Sequence, residues 1–295
     1  MEYVIETKNL MKKYPNKIAV NNVNMHVKKG DIYGFIGKNG AGKTSTMKLI
    51  LGLSNPTSGE IIINNSRYLI KERKKIGSLI EAPGLFKNKT AFENLRQFSL
   101  VSGGTDKEIK EILEIVGLSK TGNRKAGNFS LGMRQRLGIG IALLGNPEIL
   151  ILDEPINGLD PEGIKDVRDT LIKLNKKRGV TLIISSHLLD ELAKITTTYG
   201  IINDGVLVEE ITSSELLKRI SKSLKIKTSD NNKAFELLKS NNFDVIKEQD
   251  YLSLKNNMDK SNLIAKLIVN SNLELFELSI DNQNFEKYFI ERIGR

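Results

Sequence analysis

An α/β fold with a parallel core sheet is what this sequence predicts, and three observations predict it. Runs of branched apolar residues without alternation recur at Asp31-Ile-Tyr-Gly-Phe-Ile-Gly37, Glu148-Ile-Leu-Ile-Leu-Asp153 and Val180-Thr-Leu-Ile-Ile-Ser-Ser186. Such runs suit parallel strands buried on both faces. Each is followed by a glycine-rich or polar turn and then a helical pattern, the succession expected of an α/β domain. Residues 2–30 and 58–65 alternate more and predict an antiparallel layer beside that core.

The remaining elements follow in order. Thr90-Ala-Phe-Glu93 reads as a capping box, and Lys107 to Val116 has helical apolar spacing that ends at Gly117. These predict a helical subdomain over about residues 82–145. Asn203-Asp-Gly205 reads as a hairpin turn, and Thr212-Ser-Ser-Glu215 opens another helix. From about Ser221 the chain turns to short Lys- and Asn-rich elements. A strand (224–227), a helix (233–239), two strands (244–247 and 251–254), a helix (263–269), a strand (273–279) and a last helix (285–290) are expected. That β-α-β-β-α-β order suits a small α+β appendage of ferredoxin-like type. The predicted domains are therefore 1–220 and 221–295.

Composition narrows the function. With 39% hydrophobic and 27% charged residues, the 295-residue chain reads as a globular protein. It has no cysteine, which excludes disulfides and thiolate metal sites, and His26 and His187 are too few for a histidine cluster. The formal charge of +10 is compatible with nucleic acid, an anionic membrane surface or a nucleotide as partner, or simply with solvated lysine-rich faces. The basic residues form no long run of the kind a nucleic-acid arm carries, so no nucleic-acid partner is expected. The N-terminus lacks the basic segment and apolar core of a secretory signal. The longest apolar stretch, Leu137 to Gly145, falls well short of a membrane span. A cytosolic protein, or one held at a membrane by a partner, is expected.

Two motifs carry chemistry. Gly37-Lys38-Asn39-Gly40-Ala41-Gly42-Lys43-Thr44 fits G-x-x-x-x-G-K-[ST] between a predicted strand and the helix that continues through Ser45. Its glycines let backbone N–H groups turn inward around phosphate oxygens, where a helix N-terminus adds partial positive charge. Lys43 is placed to reach the β- and γ-phosphates and Thr44 to give its hydroxyl to Mg²⁺. The second motif, Leu152-Asp153-Glu154-Pro155, ends a predicted parallel strand. A carboxylate there points into the crevice that receives the phosphate loop. Asp153 would hold Mg²⁺ directly or through water, and Glu154 would orient or deprotonate an attacking water.

Phe129-Ser130-Leu131-Gly132-Met133-Arg134-Gln135-Arg136, about twenty residues before Asp153, resembles the L-S-G-G-Q signature of ABC-transporter ATPases. Ser130 and Gly132 match, while Leu131 and Met133 depart. The resemblance covers residues 1 to about 220 and implies an ABC-type ATPase domain that binds ATP with Mg²⁺. It implies further roles residue by residue. Tyr14 stacks on adenine, and Ser130 and Gly132 meet the γ-phosphate of ATP held by a facing subunit. Asp160, in Asn157-Gly-Leu-Asp160, belongs to the loop joining two sites across a dimer, and His187 contacts the γ-phosphate. Glu81 stands where the family usually has a glutamine that touches Mg²⁺ and relays ATP state to the membrane subunit. A carboxylate there adds negative charge and cannot donate as an amide does. This variant resembles the exporter branch for bacitracin and for lantibiotic self-protection or resistance.

The expectation is thus the ATP-hydrolysing subunit of an exporter at the cytoplasmic face of the membrane. A separate transmembrane permease and a second ATPase subunit, a homodimer in the simplest case, are the implied partners. An exporter for a drug, lipid or ion, a soluble ATPase acting on ribosomes or DNA, and a nucleotide-dependent binding module without turnover are the alternatives. A single phosphate loop and the lack of sustained heptads weigh against the ribosome- and DNA-acting classes.

Overall fold

Val4, Ile5, Leu10, Val20, Val23 and Val27 bury one side of the first thirty residues and drive them into an antiparallel layer. The computed structural model describes residues 2–220, 222–254, 258–282 and 285–293. In that layer β1 (Tyr3–Tyr14) pairs with β2 (Lys17–Val23), β3 (His26–Lys28) and, across the chain, β5 (Ser58–Ile63).

Beside it lies the parallel core. Among the described residues its sheet runs β10-β9-β4-β8-β7-β6, with β4 (Ile32–Ile36), β6 (Ile76–Leu79), β7 (Ile149–Leu152), β8 (Thr181–Ser186), β9 (Thr198–Asn203) and β10 (Val206–Thr212). All pairings are parallel except β9 with β10, which turn back on one another through Asp204 and Gly205, both at positive φ. Ile149 to Leu152 are completely buried, each contributing about 1.5–3 kcal/mol on general transfer grounds. Helix α1 (Lys43–Leu51) follows β4, and α2 (Leu69–Arg73) precedes β6. Helices α6 (Pro161–Arg178) and α7 (Leu189–Ala193) follow β7 and β8.

Strand β8 stands between β4 and β7, so the strand that feeds the phosphate loop and the strand that ends at Asp153 are not neighbours. The register sets Phe35 beside Ser185 and Leu152 beside Ile184. The end of β8 therefore separates the two motifs.

A helical segment is inserted between β6 and β7: α3 (Ala91–Ser102), α4 (Asp106–Ile115) and α5 (Leu131–Ala142). Thr90 caps α3 in a complete capping box: the Glu93 N–H donates to its hydroxyl at 3.1 Å, and the Thr90 N–H donates to the Glu93 carboxylate at 2.6 Å. Arg136 on α5 donates to the Val116 carbonyl beyond α4 at 3.3 Å and pairs with Asp166 of α6 at 3.1 Å, tying the insertion to the core.

The chain divides into two compact units, Met1–Ser213 and Ser214–Arg295. Helix α8 (Ser213–Arg219) lies at the division. The second unit forms a sheet ordered β12-β13-β11-β14, antiparallel throughout, from β11 (Lys222–Thr228), β12 (Val245–Lys247), β13 (Leu252–Leu254) and β14 (Leu275–Asn282). Helices α9 (Asn231–Ser240) and α10 (Ser261–Asn270) join these strands, and α11 (Phe285–Ile293) follows β14. Leu224, Ile226, Leu252 and Leu254 pack with Ala234, Leu238, Ile264 and Ile268 in a core of their own. Ser221, which opens the predicted appendage, lies outside the described residues. Among the described residues no helix is long and apolar enough to cross a membrane.

Candidate functional site

The loop Gly37–Gly42 wraps over the end of β4 before α1 begins. Gly42 caps that helix at φ +108°, a backbone region closed to other residues, and a Cβ there would collide with the Ala19 carbonyl oxygen. Lys43 turns back into the loop and is 5% exposed. Its ammonium donates to the carbonyls of Gly37 at 2.6 Å and Lys38 at 3.2 Å, and lies 3.5 Å from Glu154 Oε1. The Lys38 carbonyl also accepts from the Ala41 N–H, and the Ala41 carbonyl accepts from Gly205, so the loop is braced from two sides.

Asp153 and Glu154 leave the end of β7 in different directions. Asp153 is buried, and its Oδ2 accepts from the Thr44 hydroxyl at 2.7 Å, joining the two motifs directly. Its Oδ1 accepts from the Ser185 hydroxyl at 2.5 Å. Glu154 has a φ of +49°, uncommon for a residue with a side chain, and its N–H donates to the same Ser185 oxygen at 2.8 Å. Glu154 Oε2 lies 2.8 Å from His187 Nδ1, just beyond the end of β8. Glu154 Oε1 is buried and accepts no hydrogen bond.

Lys43, Thr44 and Glu154 line a pocket of about 320 Å³ together with Tyr14, Asn39 and Gly40, while Asp153 and His187 do not form part of that lining. Gly42 and Ser45 line it as well. Tyr14, the last residue of β1, is 43% exposed, and Lys12 sits over its ring 5.2 Å from the centroid. Gly37, Lys38 and Ala41 belong to the loop but do not line the pocket.

Four further predicted residues lie away from it. Ser130 caps α5, accepting from the Met133 N–H at 3.2 Å, and Asp160 caps α6, accepting from Gly163 at 3.1 Å. The two helix starts pack glycine against glycine: a Cβ on Gly132 would lie 3.4 Å from the Gly163 Cα. The signature segment and the Asn157–Asp160 loop thus form one surface with two exposed helix N-termini. Glu81, at φ +65°, points to α1 instead of the pocket and pairs with Lys48 at 2.8 Å. That hydrogen bond and charge hold the Glu81 carboxyl below its ordinary value and raise the Lys48 ammonium above its own.

Sequence reasoning missed Ser185, Lys48 and Lys17. Lys17 lines the pocket and donates to the Gly40 carbonyl at 3.2 Å. A serine ending an otherwise apolar buried run was the available signal for Ser185. No local pattern pairs Lys48 with a carboxylate 33 residues away.

Comparison with known proteins gives this geometry its relatives. The ABC transporter family model matches residues 20–157. The chain is 41% identical over 302 aligned residues to the bacitracin transport ATP-binding protein BcrA of Bacillus licheniformis, covering all of this chain and 98% of the relative. It is 42% identical over 219 residues to the lantibiotic transport ATP-binding protein SrtF of Streptococcus pyogenes, covering 74% of this chain and 95% of the relative. Among solved structures it resembles a dimeric ATP-binding cassette in a post-hydrolysis state bound to ADP and Pi, with a TM-score of 0.64, 28% identity, and coverage of 71% of this chain and 98% of that one. A phosphate loop, a carboxylate-ended strand and a capped signature helix in one α/β unit, matched to relatives along its whole length, place this chain in the ABC transporter family as an ATP-binding, ATP-hydrolysing subunit.

Proposed function

We propose that this subunit powers an exporter that confers resistance or self-immunity to bacitracin- or lantibiotic-type peptide antibiotics. The observation that carries the reading is the likeness to a bacitracin transport ATP-binding protein over the entire chain, the C-terminal unit included. The reading assigns ATP to the pocket beside Tyr14, with the adenine against that ring and the phosphates in the cradle of Gly37–Thr44. Lys43 would exchange its bonds to the loop carbonyls for phosphate oxygens, where donor and acceptor are both charged and the contact is stronger.

The donor set fits a magnesium ion. Thr44 and Asp153 present hard oxygens already in contact, and among the described residues no cluster of three or more His, Cys, Asp or Glu is gathered for a metal. Magnesium held by one or two protein oxygens plus substrate phosphates needs no such cluster. Bound there, it would supply charge neutralisation on the phosphates. The orphaned Glu154 Oε1 is an acceptor suited to an attacking water, which makes Glu154 the general base, with His187 fixing its other oxygen.

The reading also requires a second subunit. Ser130, Gly132 and Asp160 lie outside the pocket, which suits completion of each site by the signature surface of a facing copy, most simply a homodimer. Glu81, paired with Lys48 and turned from the pocket, would have to leave that ion pair to approach the magnesium and report ATP to a transmembrane permease, with the chain held at the cytoplasmic face of the membrane. No nucleic acid enters this reading. Residues 1–220 would form the ATPase domain, with its helical subdomain over 82–145, and 221–295 a ferredoxin-like accessory domain.

The test is ATP hydrolysis by the subunit reconstituted with its permease in vesicles. Stimulation by bacitracin or a lantibiotic supports the cargo; an ATPase indifferent to every peptide tried removes that assignment.

A further inference from the structure

We propose that Ser185 is a positioning residue that sets both carboxylates of the site at once. The inference rests on the reading of Asp153 as metal-side ligand and Glu154 as base. Ser185 is completely buried at the end of β8, the strand between the phosphate-loop strand and the carboxylate strand. Its hydroxyl has one proton to give and two lone pairs. The proton goes to Asp153 Oδ1, and a lone pair receives the Glu154 N–H. With Oδ1 occupied, Asp153 keeps Oδ2 turned to Thr44.

The second bond acts on the backbone. Glu154 sits at φ +49°, and such a conformation persists only where the surroundings over-determine it. Consecutive residues of a strand point to opposite faces, so regular β geometry would carry the Glu154 side chain away from Asp153. The left-handed turn at Glu154, pinned through its N–H to Ser185, brings its carboxylate back toward Lys43 and His187. His187 follows Ser185 by two residues, so the same strand end that anchors the backbone of Glu154 also delivers the ring that holds its side chain. An apolar residue at 185 would leave Asp153 Oδ1 and the Glu154 N–H without these partners while leaving the phosphate loop intact.

Threonine and valine at 185 share a shape and differ in the hydroxyl, which separates hydrogen bonding from packing. Ser185→Val is expected to lower kcat by about 10- to 100-fold, the range typical for loss of a group that orients a ligand. Its affinity for a fluorescent ATP analogue should stay within about threefold of wild type, since the loop that binds phosphate is untouched. Incubated with ATP, the variant should accumulate the ATP-bound dimer on size exclusion, whereas Ser185→Thr should turn over and release it. Ser185→Ala, which removes only the oxygen, supplies the same measurements if the added γ-methyls of valine prevent folding. Turnover by the valine or alanine variant within threefold of wild type overturns the proposal. So does a parallel loss of nucleotide affinity and melting temperature, which marks a packing role. Glu154→Gln run alongside distinguishes the two failures: if it is inactive while Ser185→Val is active, only the role of Ser185 falls; if it turns over normally, the reading of the carboxylates falls first.

Discussion

Glu154 and Lys43 stand 3.5 Å apart in the lining of the pocket, one suited to a water and the other to a phosphate. Glu154→Gln keeps the shape of the side chain and removes the base, so ATP should bind with near wild-type affinity while turnover falls roughly 10²- to 10⁴-fold. Phosphate-release kinetics beside nucleotide titration measure both; turnover within tenfold of wild type contradicts the assignment. Lys43→Ala should abolish productive ATP binding, and transport by that variant at the normal rate would sink the phosphate-loop reading. At Glu81 the ion pair with Lys48 joins the segment after β6 to the helix that begins at the phosphate loop. Glu81→Gln should leave nucleotide affinity nearly unchanged and reduce transport per ATP hydrolysed, measured on the assembled complex. Equal transport and ATPase rates would show that the carboxylate has no coupling role.

At the scale of elements, the capping box at α3 is a self-contained device. Thr90→Ala should cost about 1 kcal/mol, the usual loss for an N-cap, which for a unit of this size lowers the melting temperature by about 2–4 °C. The Thr90 N–H and then Lys125 hold the Glu93 carboxyl below its ordinary value of 4.5. A depressed carboxylate stabilises the fold fully above that value and loses its contribution as pH falls through the lower, folded value. The acid limb of a melting-temperature profile should therefore flatten below pH 4.5 in Glu93→Gln; an unchanged limb would contradict it.

Elements with strong local signals were legible in the sequence. The capping box, the Asn203-Asp-Gly205 hairpin and the phosphate loop each encode their geometry in adjacent residues, and each forms. Strand β6 did not announce itself, because Ile76-Gly-Ser-Leu79 is short and half polar. Its pairing comes from β7, and its glycine is required by the carbonyl of Ala142 on α5, which leaves no room for a Cβ at 77. The position of β8 between the two motif strands was equally hidden, since strand order is set by tertiary packing and not by any local pattern. That hidden order is why Ser185 escaped notice while Asp153 and Glu154 did not.

The whole molecule must explain why Ser130, Gly132 and Asp160 lie off the pocket. Each caps or opens a helix at one surface, and a facing subunit would present that surface to ATP. Leu131 is 44% exposed beside these caps, so Leu131→Glu should leave the fold intact and even suit a helix N-terminus. Against a triphosphate, the added charge should prevent ATP-dependent dimerisation of the Glu154→Gln variant, while monomers still bind ATP. Light scattering with and without ATP checks this; dimers of undiminished stability would contradict the cross-subunit site.

On the proposed function, ATP hydrolysis by this subunit drives export of peptide antibiotics. The most direct measurement is growth inhibition by bacitracin and a panel of lantibiotics. Cells would express the subunit with its permease, beside a matched strain carrying Glu154→Gln. Protection by the wild-type pair against at least one of these peptides, and loss of protection in the variant, is the expected result. Equal sensitivity of both strains to every peptide, with both proteins present at the membrane, would contradict it.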